Sequence, residues 1–305
     1  MGKVENSPVS VIIPTYRREQ VLLDTIQYLH NLQPPPAEII VIDQTGAHEV
    51  SVQEQLDQWD KSNEIRWVRL KKPSIPGAMN KGLLYARNDI VLFLDDDIIP
   101  SENLIVAHGT AHGAEGVGVV AGKVIQPWHV DTHSAGKIFS FASGTRQFIH
   151  EFMGGNFSVK RPLALKLGGF DENFVHVAYR FEAEFSERIL ASGYKILFEP
   201  NAIIRHLKVR GGGTRSYGNF LTTLKPSHAV GEYYYLLRSR DTRYKIFRLM
   251  GHPLRAVRTR YHLRNPWHIP VTLIAELQAF FWALFFVARG PRLLVREAPT
   301  PREDV

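Results

Sequence analysis

Short runs of mainly apolar residues alternate with stretches of helical spacing over the first hundred positions, and this alternation constrains the fold most. The runs Val9–Ile13, Ile39–Ile42 and Ile90–Leu94 leave no polar face for solvent. Strands that are buried on both sides have this composition. Apolar residues recur with helical spacing between them, over Glu19–Asn31 and Gly77–Arg87. We therefore predict an α/β protein with a single, Rossmann-like, mostly parallel sheet flanked by helices.

Charge is distributed unevenly along the 305 residues. Residues 1–204 carry 19 basic and 24 acidic side chains, whereas residues 205–305 carry 18 basic and 6 acidic ones. The carboxyl-terminal third therefore predicts an anionic partner, either phosphate groups or a lipid surface. The chain has no cysteine, which excludes disulfides, thiolate catalysis and cysteine-ligated zinc. The first eight residues contain no apolar core of a signal peptide, so we expect a cytoplasmic protein.

The segment Ile269–Ala288 is the candidate membrane element. Glu276 and Gln278 interrupt it and leave an uncharged run of 12 residues, Leu277–Ala288. A spanning helix needs about 20 predominantly apolar residues. Clusters of arginine flank the segment at positions 255, 258, 260, 264, 289, 292 and 296. Three interpretations stay open: a core or dimer helix, an amphipathic helix in an anionic leaflet, and a true span.

Polar residues follow the predicted strands where parallel sheets bind ligands, at the carboxyl ends. Thr15 and Tyr16 end the first strand, Asp43 ends the second, and three aspartates at 95–97 follow Ile90–Leu94. Side chains alternate along an extended segment, so the first and third aspartates point the same way and can share one divalent ion. A solvated acidic turn is the alternative interpretation.

Two further groups are candidates for chemistry. His206 precedes three glycines at 211–213, which Arg210 and Arg215 bracket, an arrangement that resembles a mobile phosphate-binding loop. Imidazole combined with carboxylates suits Mn²⁺. Glu182 and Glu184 stand at a predicted helix start, which favours the ionised carboxylate that a proton acceptor needs. Ordinary helix-start chemistry explains this glutamate pair equally well.

These motifs occur in the order found in a known enzyme family. The sequence reads Ser10-Val-Ile-Ile-Pro-Thr-Tyr, Ile39-Ile-Val-Ile-Asp and Gly77-Ala-Met-Asn-Lys-Gly, and it continues with Val91-Leu-Phe-Leu-Asp-Asp-Asp and Gly168-Gly-Phe-Asp-Glu. A glutamate-rich helix start, Gly193-Tyr-Lys and His206 follow. The chain resembles family 2 glycosyltransferases with the GT-A fold over about residues 9–215.

The resemblance implies roles for individual positions. The residues that it implies for binding of the nucleotide sugar are Pro14, Thr15, Tyr16, Asp43, Gly77, Asn80, Asp95, Asp96, Gly155, Asn156, Arg210 and Arg215. The residues that it implies as ligands of the metal, Mn²⁺ or Mg²⁺, are Asp97 and Asp95 of a DxD motif, together with His206. Glu182 matches the family's catalytic base, with glutamate where the family usually has aspartate, and Glu184 is the fallback. The expected domain covers residues 1–225, with a nucleotide-binding part at about 9–100 and an acceptor-binding part at about 101–225.

The resemblance also implies a reaction. We expect the transfer of a single sugar, with inversion, from a nucleotide-diphosphate sugar, UDP by preference. The acceptor would be a hydroxyl of a saccharide or lipid-linked molecule, in cell-surface or exopolysaccharide assembly. The helical region 226–305 would associate with the inner face of the cell membrane or form a homodimer. The alternatives are a catalytically weak carbohydrate- or nucleotide-binding protein, a nucleic-acid-binding protein and a glycoside hydrolase.

Overall fold

A computed structural model describes residues 8–128, 140–209, 211–213, 219–239 and 245–294. Within these ranges nine strands form one sheet: β1 Val9–Thr15, β2 Glu38–Asp43, β3 Arg66–Arg69, β4 Ile90–Leu94, β5 Ile98–Pro100, β6 Val117–Ile125, β7 Gln147–Ile149, β8 Asn156–Lys160 and β9 Lys195–His206. The order across the sheet is β3-β2-β1-β4-β8-β6-β9-β5, and β7 pairs with β9 beside this path.

Helices cover both faces of this sheet. They are α1 Gln20–His30, α2 Val50–Lys61, α3 Ile75–Tyr85, α4 Leu104–Ala111, α5 Arg161–Lys166, α6 Phe181–Ala191, α7 Val230–Arg238, α8 Lys245–Val257, α9 Arg260–Arg264 and α10 His268–Arg289. The predicted α/β class, with helices around a single sheet and a helical carboxyl-terminal extension, is confirmed.

The sheet is parallel in its first half and mixed in its second. Strand β1 pairs in parallel with β2 and β4, and β2 pairs in parallel with β3. Strand β8 is antiparallel to both of its neighbours, β4 and β6, while β6 and β9 are parallel. Continuous apolar runs indicate burial on both faces but carry no information on strand direction, so the sequence predicted the first half better than the second.

The core consists of two large apolar layers, one on each face of the sheet, and a third, small cluster of Ala111, Val117, Val120 and Leu197. Alternate residues of β1 enter different layers, with Val11 and Ile13 on the side of α1 and α2 and Ile12 on the side of α3. Aromatic rings fill the α3 layer, where Phe93 stacks on Phe157 at a centroid distance of 4.9 Å. This packing fixes the end of β4, from which the three aspartates project.

The carboxyl-terminal helices share the core of the sheet. Tyr234 of α7 and Ala279 of α10 are fully buried in the α3 layer. The chain then returns to the loop before α6, where the Arg292 amide donates to Asp171 Oδ1 at 2.9 Å. By length and composition α10 can cross a membrane, but one of its faces packs on α7. Glu276 lies on that packed face, where it accepts a hydrogen bond of 2.7 Å from Tyr233.

Candidate active site

A polar cleft of about 350 Å³ opens at the carboxyl ends of β1 and β4. The end of β1, the three aspartates, the loop before β8, the start of α6 and the segment after β9 surround it. Those of its lining residues that the sequence singled out are Pro14, Thr15, Tyr16, Asp95, Asp96, Asp97, Gly155 and His206. The candidate residues therefore converge on the sheet edge where parallel strands bind ligands.

Asp95, Asp97 and His206 form a cluster that can hold a metal ion. One ligand atom from each residue lies within 4.8 Å of the others. His206 Nε2 is 3.1 Å from Asp97 Oδ1 and 3.7 Å from Asp95 Oδ2. An octahedral ion with bonds of about 2.1 Å places neighbouring ligand atoms about 3 Å apart and opposite ones about 4 Å apart. The three side chains therefore fit a divalent ion with little rearrangement.

The middle aspartate points away from this cluster, as strand alternation predicts. Asp96 accepts hydrogen bonds from Thr15 Oγ1 at 2.8 Å and from Arg18 Nε at 3.1 Å. Burial raises the pKa of Asp96 to about 7, although Arg18 and Thr15 oppose the shift. Asp96 therefore fastens the end of β1 to the aspartates, and its contact with the nucleotide sugar stays a prediction.

Arg18 ties the aspartates to the glycine segment that follows β9. Its guanidinium lies 3.3 Å from Asp97 Oδ2, and it donates to the carbonyls of Val209 and Gly211. Burial raises the pKa of Asp97, but His206, Arg18 and the Val209 amide outweigh it, so the net shift is downward. Asp97 is therefore ionised, as a metal ligand must be.

The triple glycine at 211–213 closes one side of the cleft. All three residues have positive φ, between 66° and 87°. A Cβ on Gly212 would lie 2.2 Å from the Arg17 carbonyl oxygen, and the Gly213 amide donates to the Tyr16 carbonyl at 2.7 Å. Glycine is required for this close approach of two backbones. The predicted phosphate contacts Arg210 and Arg215 lie outside the described residues.

Two adjacent glycines before β8 separate the metal cluster from the predicted base. A Cβ on Gly155 would lie 2.2 Å from Asp95 Oδ2, and a Cβ on Gly154 would lie 2.9 Å from Glu182 Oε1. Both carboxylates therefore approach one short stretch of backbone. Glu182 is half-buried and is not itself among the described residues that line the cleft, whereas its neighbour Phe181 is, so its role as the base stays a prediction.

Glu184, the fallback for the catalytic base, is engaged elsewhere. It is buried, and both of its oxygens accept hydrogen bonds from Arg188, at 2.7–3.1 Å. Arg188 also donates to the Leu167 carbonyl at 2.8 Å. The second glutamate therefore fastens α6 to the loop after α5, and this pairing with Arg188 distinguishes it from Glu182, since neither glutamate is among the described residues that line the cleft.

Asp43 is buried next to Gln44, a residue that lines the cleft. Its carboxylate is fully buried and accepts hydrogen bonds from the Thr45 amide and the Trp67 indole, and it pairs with His48 at 2.8 Å. Burial raises the pKa of Asp43, but the hydrogen bonds from His48 and Thr45 outweigh it and lower the pKa overall. The neighbouring Gln44 lines the cleft instead. A role for Asp43 in nucleotide contact stays a prediction.

Besides Asp43, three predicted donor contacts are not among the described residues that line the cleft: Gly77, Asn80 and Asn156. Asn80 is buried and bonds to the amide and carbonyl of Phe170, at 2.7 and 2.8 Å. Asn156 bonds to two backbone carbonyls and to His108. Helix α3 presents Ile75 and Met79 to the cleft. Both asparagines are thus engaged by contacts within the protein, and a role of these three positions in donor binding stays a prediction.

The sequence did not single out Arg18 and Gln44. Arg18 is one of two adjacent arginines, and no pattern in the sequence distinguishes it from Arg17. The positive φ of 53° at Arg17 turns the chain so that the next side chain enters the cleft. Such a turn in a non-glycine residue is visible only in three dimensions.

Comparisons with known proteins agree with this geometry. The model of the family described as glycosyl transferase family 2 matches residues 10–167, just over half of the chain. The probable glycosyltransferase YdaM of Bacillus subtilis (strain 168) is 26% identical over 214 residues, which are 64% of this chain and 49% of YdaM. The chain thus spans about half the length of this curated relative.

Solved structures show the same fold. The mannosyltransferase PcManGT from Pyrobaculum calidifontis, in complex with GDP-Man and Mn²⁺, aligns with a TM-score of 0.55 and 18% identity, over 93% of this chain and 79% of its own. TarS 1-349 of S. aureus with UDP-GlcNAc gives a TM-score of 0.59 and 14% identity, over 90% of this chain and 81% of its own. These neighbours confirm the GT-A-like fold. The family match shows that the chain belongs to glycosyltransferase family 2.

Proposed function

We propose that this protein transfers a single sugar, with inversion, from a nucleotide-diphosphate sugar to a hydroxyl of a saccharide or lipid-linked acceptor. One observation supports the proposal: Asp95 of the metal cluster and Glu182 approach two adjacent glycines, Gly155 and Gly154, at the border of the cleft. A catalytically weak binding protein would not need a further carboxylate beside the metal cluster. The GDP-Man and Mn²⁺ bound to PcManGT and the UDP-GlcNAc bound to TarS support the donor class and the metal.

Each side chain has a role in the proposed transfer. Asp97, Asp95 and His206 would hold the divalent ion, which supplies Lewis-acid stabilisation of the diphosphate leaving group when bound. Arg18 keeps Asp97 in place and holds the glycine segment against the site. Glu182 accepts the proton of the acceptor hydroxyl as that oxygen attacks the anomeric carbon. A base on the side opposite the leaving group implies in-line displacement and therefore inversion.

Nucleoside-diphosphate release tests this reaction. UDP-, GDP- and dTDP-sugars are incubated with the protein, membrane lipid extract and Mn²⁺, Mg²⁺ or EDTA. We expect release from one donor, dependence on the metal, and loss of release in Asp97→Ala. Donor binding without release by any donor, metal and acceptor combination would favour the binding-protein alternative. Release that persists in EDTA would contradict the metal assignment.

We also propose that the carboxyl-terminal helices hold the enzyme on the inner face of an anionic membrane. Helix α8 has no buried residue, and Ile246, Phe247 and Met250 are exposed by 69%, 77% and 72%. Helix α10 exposes a second apolar stripe at Leu277, Phe281 and Phe285, opposite its packed face. Arginines at 255, 258, 260 and 264 lie between these stripes in the chain, and Arg289 and Arg292 follow. Apolar faces bordered by cations fit the surface of an anionic bilayer.

Vesicle sedimentation tests the membrane proposal. The wild-type protein should sediment with vesicles that contain phosphatidylglycerol, and less with neutral vesicles. Phe247→Ser with Met250→Ser should reduce the bound fraction severalfold, whereas Leu84→Ser, at an exposed leucine of α3, should not. Equal sedimentation of all variants would contradict the proposal. A concentration-dependent dimer without vesicle binding would assign these faces to a second copy of the chain.

A further inference from the structure

A second cavity lies at the opposite edge of the sheet from the candidate active site. It has a volume of about 740 Å³ and is lined by the start of β4, the end of β8 and the segment after α4. Strand β4 runs from Ile90 at this cavity to Leu94 beside the aspartates. Four residue steps of about 3.3 Å separate the two sites by roughly 13 Å. The volume is within the range of about 300–1,000 Å³ of small-molecule sites.

Cations dominate the ionisable groups of this cavity. Arg87, Lys160 and Lys166 line it, with Asp89 as the one acidic lining residue among those described. Within the described ranges none of the three cations has a carboxylate within 4.0 Å. Three cations that line one cavity with a single carboxylate among them repel one another, and a bound anion relieves that repulsion. The lining therefore predicts an anionic ligand.

A buried histidine contributes to the same cavity. His112 lines it, is 5% exposed, and pairs through Nε2 with Ser158 Oγ at 2.8 Å. Its Nδ1 is buried and has no hydrogen-bond partner among the described residues. Burial, together with His108 and Lys160, lowers the pKa of His112 to about 3, so its ring is neutral. One of its two nitrogens therefore carries a proton and the other accepts.

The neighbouring hydrogen bonds identify the accepting nitrogen. Asn156 Nδ2 donates to two backbone carbonyls, so its Oδ1 accepts from His108 Nε2 at 2.9 Å. His108 is also neutral, because burial lowers its pKa to about 4, and its Nδ1 accepts from Ser158 Oγ at 2.8 Å. The serine oxygen in turn accepts from His112 Nε2. His112 Nδ1 is therefore an unprotonated acceptor that still needs a donor.

The lining groups together define the ligand. We propose that this cavity is a second ligand site, which binds a phosphorylated small molecule through Arg87, Lys160 and Lys166. His112 lies in the wall of the same cavity, with its Nδ1 buried. Lysine and arginine hold phosphate oxygens through charge-assisted hydrogen bonds. Two sources share the phosphoryl chemistry, a sugar phosphate and free inorganic phosphate, and the cavity volume of about 740 Å³ favours the larger sugar phosphate.

Isothermal titration with glucose 1-phosphate and with inorganic phosphate tests the site. The titrations use EDTA, so that no metal assists phosphate binding in the active site. We expect both probes to bind, with glucose 1-phosphate the tighter of the two. Lys160→Met with Lys166→Ala should raise both dissociation constants at least tenfold. Lys61→Ala, at an exposed lysine of α2, and Asp97→Ala should leave them unchanged.

The titration results either support the proposed anion site or overturn it. Equal affinity for the two probes would support the anion site with free phosphate as its ligand. The proposal would be overturned if neither probe bound at millimolar concentration. It would also be overturned if Asp97→Ala abolished binding while the double lysine variant retained it. Pro8 lines the cavity, so a chain without residues 2–7 is titrated in parallel. Binding that occurs only in this shortened chain would overturn the proposal, because the amino-terminal residues would then be the natural occupant.

Discussion

Adding one methyl group at Gly155 should disable the metal cluster without unfolding the protein. The Cβ of Gly155→Ala would lie 2.2 Å from Asp95 Oδ2 and 2.8 Å from Asp95 Cγ. Ordinary van der Waals contact begins at 3.4 Å, so the Asp95 oxygen must move by about 1.2 Å, the difference between the two distances. Metal sites tolerate deviations of about 0.2 Å in ligand distance. Asp95 would therefore leave the cluster as a ligand.

The expected loss is at least tenfold in Mn²⁺ affinity, because even the outer partners of metal ligands contribute about 10–100-fold. Electron paramagnetic resonance of free Mn²⁺ measures this affinity without substrate. Gly155 has no positive φ, so alanine fits its backbone conformation, and a circular dichroism melt should show a folded variant. The matched control is Gly144→Ala, whose Cβ would have no heavy atom within 4 Å.

The neighbouring glycine provides a contrast. A Cβ on Gly154 would lie 2.9 Å from Glu182 Oε1 and 3.2 Å from Phe181 Cζ, so Gly154→Ala should displace the proposed base. We expect a lower kcat and unchanged Mn²⁺ affinity. Wild-type Mn²⁺ affinity in Gly155→Ala, or equal loss of affinity in both variants, would refute the geometry described for this site.

Three further predictions concern stability. Arg18→Met removes the cation from two buried carboxylates, Asp96 and Asp97, and should cost about 3–5 kcal/mol in urea unfolding; a cost below 1 kcal/mol would contradict the role of this pair. Asn80→Ala leaves the Phe170 amide without a partner and should cost about 1–3 kcal/mol, measured in the same way. The hydrogen bond to Asp43 raises the pKa of His48, although burial opposes the shift. Protonated His48 therefore contributes fully to the free energy of unfolding below about pH 6.5, and this contribution declines as the pH rises through the raised pKa. His48→Gln should lower the free energy of unfolding more at pH 6 than at pH 8.5.

Much of the first half of the chain could be predicted from its sequence. Apolar runs and helical spacing placed β1, β2, β4 and α1 within one or two residues of their observed ends. Alternation along an extended segment was sufficient to separate Asp96 from Asp95 and Asp97, which the structure confirms. These successes depend on local geometry, which is the part of a fold that a sequence pattern reports directly.

Contacts between distant segments could not be predicted in this way. Asn80 and Asn156 are polar residues near the expected site, but each is held by backbone groups far away in sequence. Glu184 matches a helix-start carboxylate as well as Glu182 does, and only its pairing with Arg188 distinguishes the two. The antiparallel insertion of β8 depends on the path of the chain after β6, and hydrophobic periodicity carries no information on that path.

The most direct test of the proposed chemistry compares two glutamates on one helix. Turnover of the active donor is measured for Glu182→Gln and Glu184→Gln, together with the affinity of each variant for Mn²⁺ and nucleoside diphosphate. Loss of a general base should lower kcat by about 10²–10⁴-fold in Glu182→Gln and leave both affinities unchanged. A folded Glu184→Gln variant should retain the wild-type kcat, although its free energy of unfolding should be lower. Full turnover in Glu182→Gln, or a selective loss of kcat in a folded Glu184→Gln, would contradict the account.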